Sequence, residues 1–131
     1  MGETKKVAWN ASEGLIMEIS NRRSKANTYF ISGDIGRAIN TLISIKQSVI
    51  QSFNSEERGK LKEIEEKFDK ISGALLHSMS NSFNQYQRKL FSRAKMIARK
   101  IYSDYNDMLM DLLEDRGYLI GEQTDASKMN F

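Results

Sequence analysis

Residues 61–83 read LKEIEEKFDKISGALLHSMSNSF, and the change within this stretch decides the fold. In its first part, apolar residues recur in steps of three and four, a two-per-heptad pattern typical of a helix packed lengthwise on another helix. The pattern loses phase in HSMSNSF (77–83), where serine and asparagine favour caps and turns. We therefore predict a tight turn near Ser80. The alternative is one continuous helix over residues 55–116.

Two more helices are predicted before this stretch. The chain contains no proline, and apolar residues recur at three- and four-residue spacing almost throughout, which indicates an all-α protein. A first helix is expected from about Ala11 to Ser32. Gly33 then suits the left-handed position that ends many helices, and Asp34 can cap a second helix that extends to about Phe53.

The third and fourth helices have their own start and stop signals. Asn54 and Glu57 have nearly the spacing of a capping box, which predicts the start of helix three. Helix four is expected from about Ser82 to Arg116, with Gly117 at its left-handed C-terminal position and Tyr118 folded back on its last turn. The arc of helix four that should face the core contains Phe83, Tyr86, Leu90, Ala94, Ile97, Ala98, Ile101, Tyr105, Met108, Leu109 and Leu112.

These elements predict an antiparallel four-helix bundle with a long C-terminal helix. A chain of 131 residues with 40% apolar residues is most simply one domain, here residues 1–131. We expect flexible tails at residues 1–8 and 121–131.

The segment TYFISGDIGRAINTLISIKQ (28–47) resembles the central part of a tetratricopeptide repeat. The resemblance lies in the aromatic pair, the Gly-Asp-Ile turn, and the Ala-Ile pair that follows. It departs from the family pattern at Ile35 and Ile45, and no second copy or terminal proline follows. The resemblance implies a helical hairpin that binds protein or peptide and has no catalytic role.

Nothing in the sequence has the pattern of an active site, so we predict no enzyme, no cofactor and no metal. Cysteine is absent and His77 is the only histidine, which leaves no thiol nucleophile and no cysteine-containing zinc site. No apolar run could span a membrane and no signal peptide is apparent, so we expect no membrane partner and a cytoplasmic location.

The charge on helix four changes from positive to negative along its length. Residues 88–100 of this helix carry six cations and no acid, whereas residues 104–115 carry acids and no base. This order opposes the helix dipole, which favours acids at the N-terminus and bases at the C-terminus. Each such contribution is a few tenths of a kcal/mol, so the helix tolerates it, but the arrangement calls for compensating charges.

Three interpretations of this pattern stay open. Glu63, Glu65, Glu66 and Asp69 could lie near residues 91–97 and neutralise Arg93 and Lys95 within the chain. Alternatively, a second copy could pair antiparallel with helix four, because a helix that changes sign at its middle is complementary to itself. The third interpretation is a nucleic-acid contact, in which the net charge of +3 permits an anionic partner.

We therefore predict a non-enzymatic helical interaction or assembly protein, a homo-oligomer that associates through its long C-terminal helix; a different protein partner is an alternative. The self-association residues are Arg88, Arg93, Lys95, Arg99, Lys100, Tyr102, Asp104, Asp107, Asp111 and Glu114. The alternative function is nucleic-acid binding through the basic residues of helices one and four. Those residues are Arg22, Arg23, Lys25, Arg88, Lys89, Arg93, Lys95, Arg99 and Lys100.

Overall fold

The computed structural model describes residues 13–76 and 85–119, and the regular structure within these ranges is helical. No strand occurs in them, so the all-α prediction is confirmed. In chain order the elements are α1 (Glu13–Ile31), α2 (Ile35–Ser48), a 3₁₀ turn (Ile50–Ser52), α3 (Ser55–Leu76) and α4 (Gln85–Asp115). The predicted turn near Ser80, His77 and the predicted tails at residues 1–8 and 121–131 lie outside the described residues.

Consecutive helices run antiparallel, as predicted. α2 packs closely on both α1 and α4, and α4 packs closely on α3, whereas α2 and α3 touch little. The start of α3 meets the end of α4 through Glu57 and Arg116, and the middle of α3 meets α4 through Glu65 and Tyr105. The antiparallel bundle with a long C-terminal helix is therefore confirmed, and α4, with 31 residues, is its longest helix.

The α1–α2 hairpin is closed by backbone geometry that the sequence predicted. Gly33 has a φ of 91°, a left-handed conformation that glycine adopts without steric cost. Its N–H donates to the carbonyl of Phe30 at 3.1 Å, and the N–H of Asp34 donates to the carbonyl of Tyr29 at 2.8 Å. These two bonds form a Schellman motif. Because tight helical hairpins in general use this chemistry, kinship with tetratricopeptide repeats stays a prediction.

The second helix is shorter than expected. It ends at Ser48 instead of extending to Phe53, and a 3₁₀ turn follows. The Ser48 hydroxyl donates to the carbonyl of Ile45 at 2.6 Å and so competes with the backbone for that acceptor. After the turn Phe53 has extended backbone and a buried side chain, which completes the core before α3 begins.

Reciprocal hydrogen bonds start α3. The N–H of Glu57 donates to Oδ1 of Asn54 at 2.8 Å, and the N–H of Asn54 donates to Oε1 of Glu57 at 2.9 Å. The predicted capping box is thus confirmed. Asp34 also occupies the predicted N-cap position of α2, but its side chain forms no capping hydrogen bond and instead pairs with Arg37 at 3.5 Å.

Candidate interaction surface on the long helix

The first third of α4 has an exposed surface where the sequence predicted core. No residue from Gln85 to Arg93 is buried, and the first buried position of the helix is Ala94. Tyr86, Leu90 and Ile97 were expected to face the core, but their exposed fractions are 69%, 42% and 48%. The expectation was wrong because helical periodicity locates an apolar face without showing how far along the helix a neighbour covers it.

These side chains form part of one continuous stripe along α4. At about 100° per residue, Tyr86, Leu90, Arg93 and Ile97 fall within an arc of about 60°. Charged residues extend the arc towards the C-terminus. We call this set the outer stripe, and its members are Tyr86, Leu90, Arg93, Ile97, Lys100, Asp104, Asp107 and Asp111. The stripe is therefore apolar and basic in its first half and acidic in its second half.

Charges on the outer stripe have few ionic partners in the part of the chain that the structure describes. Lys100 and Asp104 form an exposed ion pair at 2.9 Å, one turn apart on α4. Within residues 13–76 and 85–119, Arg93, Asp107 and Asp111 form no ion pair.

The expected neutralisation by acids of α3 does not occur at the expected place. Glu65 lies beside Tyr105, beyond the predicted range 91–97, and its Oε2 accepts from Lys46 Nζ at 2.8 Å. The register of α3 against α4 therefore differs from the predicted one. Its acids form no ion pair with Arg93 or Lys95 within the described residues.

Two of the predicted self-association residues point inward. Tyr102 is buried and its ring stacks on Phe30, with ring centroids 4.4 Å apart and an interplanar angle of 16°. Lys95 Nζ lies 5.7 Å from the centroid of the Phe91 ring and 3.1 Å from the position that a Cβ on Gly33 would occupy. Lys95 thus places a cation beside the C-terminus of α1, whose last turn contains no basic residue.

The other predicted residues of α4 are exposed but lie in different directions. Arg88 and Arg99 point away from the outer stripe, whereas Glu114 lies at its edge. Lys89 is exposed at the same edge. The predicted set of ten residues therefore separates into a stripe, its margin, and side chains directed elsewhere.

The basic residues of α1 do not extend a free patch. Arg22 pairs with Glu18 at 3.0 Å and donates to the carbonyl of Ser44 at 3.2 Å. Burial lowers the pKa of Arg23, which lies near the Tyr102 ring, and burial raises the pKa of Tyr102. Lys25 is exposed. Two of the three predicted nucleic-acid contacts on α1 are thus engaged within the fold.

A buried polar network was not predicted from the sequence. Lys46 is only 5% exposed, and Glu65 accepts from both Lys46 Nζ and, at 2.6 Å, the hydroxyl of Tyr105. Burial raises the pKa of Tyr105, and the Glu65 carboxylate raises it further. Lys46 does follow Ile45 and shares its face with Leu42, which is the one signal that could have placed it near the core.

Hydrogen bonds join the C-terminal end of α4 to the 3₁₀ turn. Gly117 has a φ of 78°, and the N–H of Tyr118 donates to the carbonyl of Leu113 at 2.9 Å, which confirms the predicted helix end. Arg116 donates to the carbonyl of Ser52 at 2.7 Å and to Glu57 at 2.6 Å. The hydroxyls of Ser52 and Tyr118 are 2.6 Å apart. At the opposite end of α4, residues 85–90 are exposed.

A cleft opens where the ends of α3 and α4 meet the α1–α2 turn. Its volume is about 520 Å³. Its lining combines apolar side chains, including Phe68, Leu75 and Phe91, with Arg37, Asp69 and Lys95. Cations and carboxylates line it together, so its charge selects no particular class of ligand.

Within the described ranges, no cluster of three or more His, Asp or Glu side chains is arranged to hold a metal ion. In these ranges no helix combines the length and apolar character needed to cross a membrane. Comparison with protein-family models, curated proteins and solved structures finds no match for this chain.

Proposed function

We propose that this chain is a non-enzymatic helical interaction protein that self-associates through the outer stripe of α4. The observation that carries the proposal is the concentration of exposed apolar side chains on one part of α4. Of the six exposed large apolar side chains in the described residues, four lie on the basic half of α4: Tyr86, Leu90, Met96 and Ile97. Contiguous exposed apolar surface is typical of a contact site.

Magnitudes favour a weak, reversible dimer. Covering the exposed part of each of these side chains would contribute about 1 kcal/mol, or about 8 kcal/mol for the four side chains of two copies. Association itself costs at least about 4 kcal/mol in lost translational and rotational freedom. The surplus is small, so ion pairs at the contact can decide whether the dimer forms.

Sedimentation velocity over a range of about 50 µM to 2 mM tests the proposal, since a surplus of about 4 kcal/mol corresponds to a dissociation constant of about 1 mM, which this range brackets. We expect the wild type to shift from monomer to dimer. Leu90→Ser with Ile97→Ser should raise the dissociation constant at least about tenfold, because the apolar part of the contact is lost.

The matched control replaces exposed apolar residues elsewhere. Met17 and Ile31 on α1 are 54% and 74% exposed, and Met17→Ser with Ile31→Ser should leave the dissociation constant unchanged. A wild type that stays monomeric over the whole range contradicts the proposal.

Nucleic-acid binding is the second candidate. It is supported by Arg88, Lys89, Arg93 and Arg99, which are exposed and form no ion pair within the described residues. The acidic half of the same helix opposes it, because it would repel a phosphate backbone.

A gel-shift assay with duplex DNA, single-stranded DNA and RNA decides this second candidate. Binding should weaken steeply with salt and disappear in Arg93→Glu with Arg99→Glu, whereas Leu90→Ser with Ile97→Ser should retain it. If none of the three nucleic acids binds, nucleic-acid binding is excluded as the function.

The proposed setting is the cytoplasm. The proposed activity requires no cofactor, no metal and no disulfide, and the sequence contains no cysteine.

A further inference from the structure

We infer that the outer stripe selects a second copy of this chain in antiparallel alignment and rejects a parallel one. The inference rests on the proposed self-association and adds to it the direction of pairing and the residues that set it. It starts from the separation of charge along the stripe, with Arg93 and Lys100 in one half and Asp104, Asp107 and Asp111 in the other.

The change of sign falls at one point of the stripe, between Lys100 and Asp104. A twofold axis through that point, level with residue 102, brings opposite charges of two copies together. Arg93 and Asp111 are then each nine positions from the axis, and Lys100 and Asp104 are each two positions from it. Because the operation is twofold, each of these pairs occurs twice in the dimer.

Apolar side chains follow the same symmetry. Ile97 and Met108 lie five and six positions on either side of the axis and about 20° apart around α4, so they fall on the same side of the contact. Ile97 is 48% exposed, and Met108 is partly buried against the core of its own chain. Ile97 of one copy would therefore meet the thioether of Met108 of the other between its flanking carboxylates.

Parallel alignment gives the opposite result. Arg93 would face Arg93 and Asp111 would face Asp111, and like charges at such spacing destabilise a contact. Most of the charges available for pairing form no ion pair within residues 13–76 and 85–119. In the described residues Arg93 and Asp111 have no ionic partner, and Lys100 has only the exposed Asp104 one turn away.

The test uses two charge-swapped variants of the full chain. The first is Arg93→Glu with Lys100→Glu, and the second is Asp104→Lys with Asp111→Lys. Each variant alone should dimerise at least about tenfold more weakly than the wild type, because its twofold pairing brings four like-charge contacts together. An equimolar mixture should recover a dissociation constant within about threefold of the wild type, since every contact of the mixed dimer is again complementary.

A charge-matched control lies outside the stripe. Arg88→Glu with Arg99→Glu makes the same change of net charge on exposed residues that point elsewhere, and it should leave the dissociation constant within about threefold. Circular dichroism of each variant confirms that the helices are intact.

The outcomes separate the inference from the proposed function. If the wild type dimerises but the mixture stays as weak as its two components, the stripe charges do not face each other in the dimer and self-association stands. If a swapped variant alone dimerises as tightly as the wild type, the antiparallel alignment is wrong, because parallel alignment already brings like charges together in the wild type. A wild type that never dimerises contradicts both the antiparallel alignment and the proposed self-association.

Discussion

At the scale of single residues, the buried charge of Lys46 depends on one carboxylate. Lys46 Nζ is 2.8 Å from Glu65, which also accepts from the buried Tyr105 hydroxyl. Removing one member of such a pair leaves the other charge buried without a partner, which lowers the free energy of unfolding. Removing both charges often changes that free energy little. The network therefore makes the fold sensitive to single changes at these positions and tolerant of a matched pair.

We predict that Lys46→Met lowers the free energy of unfolding by about 2–3 kcal/mol, because it leaves the Glu65 carboxylate without its cation. Adding Glu65→Gln should recover most of this loss, since glutamine still offers an oxygen to the Tyr105 hydroxyl. Urea unfolding of the two single variants and the double variant measures the coupling. Losses that simply add would show that the contact does not exist.

Replacing either of two glycines by alanine should change the free energy of unfolding, but in opposite directions. Gly33 has a φ of 91° with Lys95 Nζ 3.1 Å from the position of an added Cβ, so Gly33→Ala should cost about 1–2 kcal/mol. Gly59 lies in α3 with nothing within 4 Å of that position, and Gly59→Ala should gain about 0.5–1 kcal/mol. The midpoints of urea unfolding of the two variants and the wild type measure these changes. A Gly33→Ala variant more stable than the wild type would contradict the turn geometry.

At the scale of elements, one carboxylate serves both the start of α3 and the end of α4. Glu57 accepts from the N–H of Asn54 and from Arg116. The Asn54 hydrogen bond, followed by the Arg116 contact, holds the pKa of Glu57 below its ordinary value of 4.5. A lowered pKa in the folded state contributes stability above the ordinary value, and this stability is lost as the pH falls through the lowered one.

We therefore predict that acid destabilises the wild type partly through Glu57. Glu57→Gln should be less stable than the wild type at neutral pH. The difference should shrink as the pH falls below about 4.5 and level off below the lowered folded-state pKa, where both proteins are uncharged at this position. Urea midpoints between about pH 7 and pH 3 measure this. Glu56→Gln, next in sequence and exposed, is the control and should keep the wild-type profile. A constant difference between Glu57→Gln and the wild type would contradict the prediction.

At the scale of the whole molecule, local signals in the sequence placed most of the fold. Gly33, Gly117 and the Asn54–Glu57 pair act within a few residues, and the structure places each as predicted. Periodicity likewise placed the core face of α2, where Ala38, Ile39 and Leu42 are fully buried.

Features that depend on how far one helix overlaps another were not predictable from the sequence. The register of α3 on α4 decides that Glu65 meets Lys46 and Tyr105, and no local pattern encodes it. The same overlap leaves Tyr86, Leu90 and Ile97 outside the core although they share its apolar rhythm. The candidate surface therefore became visible only when the length of α4 covered by other helices was known.

Distances between spin labels test the central claim, the antiparallel pairing of α4, most directly. The chain has no cysteine, so single labels can be placed at Gln85→Cys and Ser103→Cys, both exposed and outside the outer stripe. Gln85 lies 17 residues from the axis level with residue 102, so at 1.5 Å per residue two labels there should be about 50 Å apart along the helix. Labels at Ser103 should be within about 20 Å, given helix axes 8–10 Å apart. Short distances at both positions would indicate parallel pairing, and the absence of dipolar coupling at both would contradict self-association through α4.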